Sequence, residues 1–97
     1  MLFEWDDNKE EQNRKKHGLD FRTAAQVFRD PNRLEWYDDA HSGSEDRYIT
    51  IGQIGMNTVL VVLLVVYTER GQTLRIISAR RATKRERRIY DDNTEKS

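Results

Sequence analysis

The run Thr58–Thr68, TVLVVLLVVYT, constrains the fold more than any other part of this chain. Val59–Val66 is apolar without interruption and mostly β-branched. That pattern suits a strand buried on both faces, which must then be central in its sheet. It is far short of the ~20 apolar residues that a membrane helix needs. The segments around it supply neighbours. Arg47–Ile54 alternates as a strand, Gly55-Met56-Asn57 turns, Glu69–Gln72 turns again, and Thr73–Ala79 is the next strand. Short connections of this kind make an antiparallel meander. Arg33–Tyr37 adds a fourth strand ahead of the polar loop Asp38–Asp46. Leu2–Trp5 is a short strand candidate outside that count.

A sheet covered on both faces needs helices, and the chain offers three. Asp7 can cap a helix through His17, with acids in its first turn, bases in its last and Gly18 ending it. Asp20 caps a second helix, whose Phe21, Ala24, Ala25 and Phe28 repeat at core-facing spacing until Asp30-Pro31-Asn32 stops it. Thr83-Lys84-Arg85-Glu86 is a capping box that opens a third. The expected fold is α+β: two N-terminal helices, an antiparallel sheet of about four strands, and a C-terminal helix. Residues 1–90 form one domain, and the patternless Asp91–Ser97 is expected to fray.

The first helix is unusual because it has no apolar residue between Asn8 and His17. Lys9, Asn13, Lys16 and His17 share one of its faces. Either that stripe lines a polar site or partner surface, or the helix is solvated and held at its ends by Trp5 and Leu19.

The formal net charge of +0 hides a strong asymmetry. Residues 1–11 carry Glu4, Asp6, Asp7, Glu10 and Glu11 against Lys9. Residues 70–88 carry Arg70, Arg75, Arg80, Arg81, Lys84, Arg85, Arg87 and Arg88 against Glu86. A local anion-binding surface fits this distribution, and so does a solvated helix face, the reading favoured for Lys84, Arg85, Arg87 and Arg88. There is no cysteine, and no signal peptide is visible, so a soluble cytoplasmic protein is expected. His17 and His41 are isolated from any carboxylate pair at ligand spacing, so no metal site and no cofactor are expected.

Three places can carry chemistry. His41-Ser42-Gly43-Ser44-Glu45-Asp46-Arg47 brings an imidazole, a carboxylate and a guanidinium into one loop. Imidazole suits proton transfer near neutral pH, and arginine suits phosphate. Glu45 can join such a site or anchor Arg47 or Arg80. Arg80-Arg81 ends a strand, so one of the two starts toward the covered side of the sheet, where arginine is rare unless paired or used. A bridge to Glu45, Asp38 or Glu86 is the structural alternative. Arg70 sits in a hairpin turn, where charge can serve solubility alone. Tyr67 and Tyr90 are expected to pack. In a simple meander Arg47 and Arg70 lie near one sheet end and Arg80 near the other, so one compact site needs strong twist or long reach along a face; otherwise the single site is wrong in part or one of these arginines is structural.

TLRIISARRATKRERRIY (Thr73–Tyr90), together with FEWDDNKEEQNRKKHG, FRDP, HSGSEDR and VVYTERG, resembles the BrnT family of type II toxins, in the family's order from Phe3 to Tyr90. The resemblance implies a RelE-like fold, an endoribonuclease that inhibits translation and growth, and a cognate antitoxin that neutralises it. The antitoxin implied is of the ribbon-helix-helix type, with the toxin a homodimer within the complex. Cleavage through the RNA's own 2′-hydroxyl needs a base, cations on the phosphorane oxygens and an acid, and no metal. On that reading His41 or His17 transfers the proton, with Glu45, Arg47 and Arg80 completing the catalytic group. Lys16, His17, Arg70 and Arg81 then contact the RNA. A non-catalytic nucleic-acid-binding module and a pure antitoxin-interaction module are the alternatives.

Overall fold

The computed structural model describes residues 1–95. In chain order it has β1 (Leu2–Trp5), α1 (Asp7–His17), α2 (Phe21–Ala24) running into a 3-10 turn (Ala25–Arg29), and β2 (Leu34–Tyr37). β3 (Tyr48–Met56), β4 (Val59–Arg70), β5 (Thr73–Arg81) and α3 (Lys84–Glu95) follow. The strands form one sheet in the order β1-β5-β4-β3-β2, so the apolar run is central. β2 to β5 are antiparallel neighbours.

The expected four-stranded antiparallel sheet needs one correction. β1, ahead of both N-terminal helices, adds a fifth strand, and it pairs parallel to β5 from Leu2↔Thr73 to Trp5↔Ile76. The sheet is therefore mixed. Phe3 and Trp5 explain the docking: both pack against the core beneath the sheet. Two smaller shifts follow from backbone chemistry. Asp6, rather than Asp7, caps α1 by accepting the Lys9 N–H at 3.1 Å. The β3–β4 turn is Asn57-Thr58, both at positive φ, the geometry that matches the twist of a two-residue hairpin. At the other end, α3 continues through Asp91–Glu95, where fraying was expected. Lys96 and Ser97 of that expected tail lie outside the described residues.

Each face of the sheet has its own core. On one, Leu19, Phe21, Ala24 and Val27 pack on Ile54, Leu63, Val65, Ile76 and Ala79. The fully buried Tyr67 ring sits against Phe28 and Tyr48 there, in the packing role expected of it. On the other, Tyr90 of α3 packs on Ile51, Val62 and Leu64 and donates its hydroxyl to Asp30. Burial and that bond both push the Tyr90 phenol above its ordinary range. α3 covers only part of this second face.

How an all-polar helix stays attached is answered at Asn13. β1 stops at the level of Ile76, which leaves the edge of β5 without a strand partner at Ala79. The buried Asn13 amide takes that place. Its Oδ1 accepts the Ala79 N–H at 3.0 Å, and its Nδ2 donates to the Ala79 carbonyl at 2.9 Å and the Leu19 carbonyl at 3.0 Å. One side chain satisfies three buried backbone groups, each of which would otherwise cost ~1–3 kcal/mol. Burial of an apolar stripe is replaced by hydrogen bonding to a strand edge. α1 consequently ends beside the open part of the sheet.

Candidate functional site

The uncovered part of the α3-side face is the floor of a cleft of about 490 Å³. Ile49, Leu64, Val66 and Ser78 form the floor. Lys16 and His17 from the end of α1, Trp36 from β2, Asp38, His41 and Arg47 from the β2–β3 loop, and Arg80 and Glu86 near the start of α3 stand around it. A shallower groove continues along α1 past Lys9, Gln12 and Asn13, sharing Lys16, His17 and Arg47 with the cleft.

The β2–β3 loop is closed by its own backbone. The Asp38 N–H donates to the Arg47 carbonyl at 2.8 Å. The Ser42 hydroxyl donates to the Asp38 carbonyl at 2.8 Å and accepts the Arg47 N–H at 3.0 Å. This brings His41 over Asp38, whose carboxylate oxygens both lie 3.1 Å from His41 Nδ1. Asp38 is 8% exposed, whereas the imidazole is mostly in solvent. A carboxylate can only accept, so Nδ1 carries a proton, and in the neutral imidazole Nε2 keeps its lone pair. No described residue bonds to Nε2.

The cations of the cleft fall into two kinds. Arg80 is clamped: Nη1 and Nη2 donate to the two oxygens of Glu86 at 2.7 and 3.0 Å. Glu86 also closes the capping box, accepting the Thr83 N–H at 2.8 Å while its own N–H donates to Thr83 Oγ1. Arg80, helped by these capping bonds, holds the Glu86 carboxyl down at about 2, and Glu86 in turn raises the Arg80 guanidinium. The Arg80 Nε–H keeps no partner among the described residues. Lys16 and Arg47 are the other kind. Neither side chain has a hydrogen bond or ion pair among the described residues. The two carboxylates at the cleft are already engaged, Asp38 by His41 and Glu86 by Arg80, so positive charge is left over.

Five of the eight residues singled out from sequence therefore meet here: His41, Arg47, Arg80, Lys16 and His17. The other three are placed elsewhere. Glu45 bonds to neither Arg47 nor Arg80. It accepts from Arg70 Nε at 2.8 Å and Nη2 at 2.9 Å, a bond that lowers the Glu45 carboxyl and raises the Arg70 guanidinium. Glu4 reaches the same cluster, 3.8 Å from Arg70 and 3.6 Å from Arg75. Arg81 lines a separate groove with Val59, Leu60, Arg87 and Asp91. Two cleft residues escaped the sequence reading as site groups. Asp38 was weighed only as an arginine partner, although its i, i+3 spacing from His41 was a usable signal. Trp36 gave none beyond its place in a strand.

Among the described residues no group of three or more histidines and carboxylates converges as a metal site. No helix among them is long and apolar enough to cross a membrane. A family model described as "Ribonuclease toxin, BrnT, of type II toxin-antitoxin system" matches residues 5–86. No curated protein matches the chain.

Proposed function

The chain belongs to the BrnT family of ribonuclease toxins of type II toxin–antitoxin systems, and from that premise we propose that it is a metal-independent endoribonuclease working in the Lys16–Arg47–Arg80 cleft. The observation that carries this reading is the coincidence, in one cleft, of an aspartate-oriented imidazole and cations without carboxylate partners. His41 Nε2 takes the proton of the RNA 2′-hydroxyl. The 2′ oxygen attacks phosphorus, the bond to the 5′ oxygen breaks, and the leaving oxygen is protonated by His17 or water. The products are a 2′,3′-cyclic phosphate and a 5′-hydroxyl. Arg47 and Lys16 meet the charge that grows on the non-bridging oxygens, and Arg80 adds its remaining N–H. Asp38 acts on His41 by holding the ring. Glu45, Arg70 and Arg81 are left out of the catalytic group on this reading.

Cleavage of cellular RNA would inhibit translation and growth, and the cognate antitoxin of this type II system would keep the toxin silent. A RelE-like fold, a ribbon-helix-helix antitoxin and a homodimer within the complex complete the proposal. The test uses partner-free protein and end-labelled RNA in EDTA, beside a folded His41→Ala variant. Cleavage by the wild type alone, leaving 2′,3′-cyclic ends, supports the reading. No cleavage by the folded wild type, even with translating ribosomes added, would replace it with a binding or antitoxin-interaction module.

A further inference from the structure

Trp36 differs from its equally exposed neighbour Tyr37, which packs edge-on with Tyr48 and donates its hydroxyl to Asp46. The other tryptophan, Trp5, is partly buried and packs edge-on against Phe21 at 6.1 Å. Trp36 is 42% exposed on the edge strand β2. Among the described residues its ring meets no other ring and its indole N–H has no acceptor. It lies opposite Ile49, on the face of the sheet that forms the cleft floor. Arg47 stands just ahead of β3, two positions before Ile49, and lines the same cleft as Trp36. A half-exposed indole without a ring partner thus lines the same cleft as a guanidinium without a bonded carboxylate.

We infer that Trp36 is the base platform of this cleft: one unpaired base of the RNA stacks on its indole while the neighbouring phosphate meets Arg47. The inference rests on the ribonuclease reading and narrows its substrate to single-stranded RNA with an unstacked base at the cut. Stacking needs a free base face, which a duplex does not offer, and it tolerates any base identity. An apolar side chain of a protein partner could also cover the indole. Position favours the base, because Trp36 shares its cleft with His41 and with Lys16 and Arg47, neither of which bonds a carboxylate among the described residues.

The test is binding of a 2′-O-methyl RNA hexamer, which lacks the attacking hydroxyl and cannot be cut. An abasic hexamer and a short duplex serve as controls. Tryptophan fluorescence and the anisotropy of a labelled hexamer are read for wild type, Trp36→Phe and Trp36→Leu, each shown folded by circular dichroism. The expected result is quenching by the hexamer but not by the abasic strand or the duplex, with the quench lost in Trp36→Phe. Affinity should stay within a few-fold in Trp36→Phe and fall roughly five- to a hundredfold in Trp36→Leu. Quenching that persists in Trp36→Phe, or unchanged affinity in Trp36→Leu, overturns the inference. So does a Trp36→Leu variant that loses its antitoxin but binds RNA as before. Cleavage of unmethylated RNA separates the two readings. A Trp36→Leu variant that binds and cuts like the wild type sinks the platform alone. A wild type that stacks the hexamer but never cuts sinks the ribonuclease alone.

Discussion

Arg47 and Arg70 stand near the same end of the sheet, and the two surroundings could hardly differ more. Arg70 projects from a hairpin tip into a cluster where Glu45 takes two of its donors and Glu4 lies nearby. Its charge is answered on the protein itself. Arg47 reaches a concave cleft whose two carboxylates are already engaged by His41 and Arg80. Its side chain has no hydrogen bond or close ion pair among the described residues; Glu45, held by Arg70, feels it only at longer range. A guanidinium beside an apolar floor with no bonded carboxylate is free to meet an anion, whereas a paired one on an exposed turn is a surface clip. Arg80 is intermediate, fixed by Glu86 on one side and open to the cleft on the other.

The largest effect should come from His41. Replacement by alanine removes the proton acceptor and should lower the cleavage rate by ~10²–10⁴-fold, with folding unchanged in a thermal melt. Next, Arg47→Ala should cost ~10²–10³-fold in cleavage, because it deletes charge stabilisation at the reacting phosphate. A loss there no greater than at Arg70 would erase the distinction between the two arginines.

Stability sharpens the comparison from the other side. Asn13→Ala strips three buried backbone groups of their partner and should destabilise the fold by about 3 kcal/mol or more in a urea titration. α1 should loosen with it, so that Lys16 and His17 are no longer held at the cleft. Glu86 gives a smaller, pH-dependent effect. Its folded-state value of about 2 lies below the ordinary 4.5, so its contribution is complete above about pH 4.5 and disappears as pH falls toward 2. Glu86→Gln should therefore be less stable than wild type by about 1–2 kcal/mol at neutral pH, with the gap closing in acid. Melting temperatures at pH 7 and pH 3 check it.

What the sequence told, and what it did not, divides along range of interaction. β4 was legible as the central strand from its uninterrupted apolar run, and the caps at Asp20, Gly18 and Thr83–Glu86 from local spacing. β1 was not counted in the sheet, because four residues carry little periodicity and their parallel partner is some seventy positions away. Asn13 was visible on a face, but its bond to Ala79 spans 66 positions and no local pattern encodes it. His41, Arg47, Arg80, Lys16 and His17 were legible as residue types but not as a cluster, since a simple meander puts Arg47 and Arg80 near opposite ends of the sheet, whereas one cleft holds both. Pairing was not legible either: nothing in the chain says that Glu45 takes Arg70 and leaves Arg47 alone. Charge pairing is decided by which side chains the sheet brings within reach, and that is a property of register.

The smallest expected effect belongs to Arg70→Ala, within about twofold in cleavage, since an exposed paired charge contributes little. The most direct measurement therefore sets it beside Arg47→Ala: single-turnover cleavage of one end-labelled RNA, in EDTA, by the two folded variants and the wild type. The account predicts near wild-type cutting by Arg70→Ala and a loss of ~10²-fold or more by Arg47→Ala. Equal rates for the two variants, or a greater loss at Arg70, would contradict it.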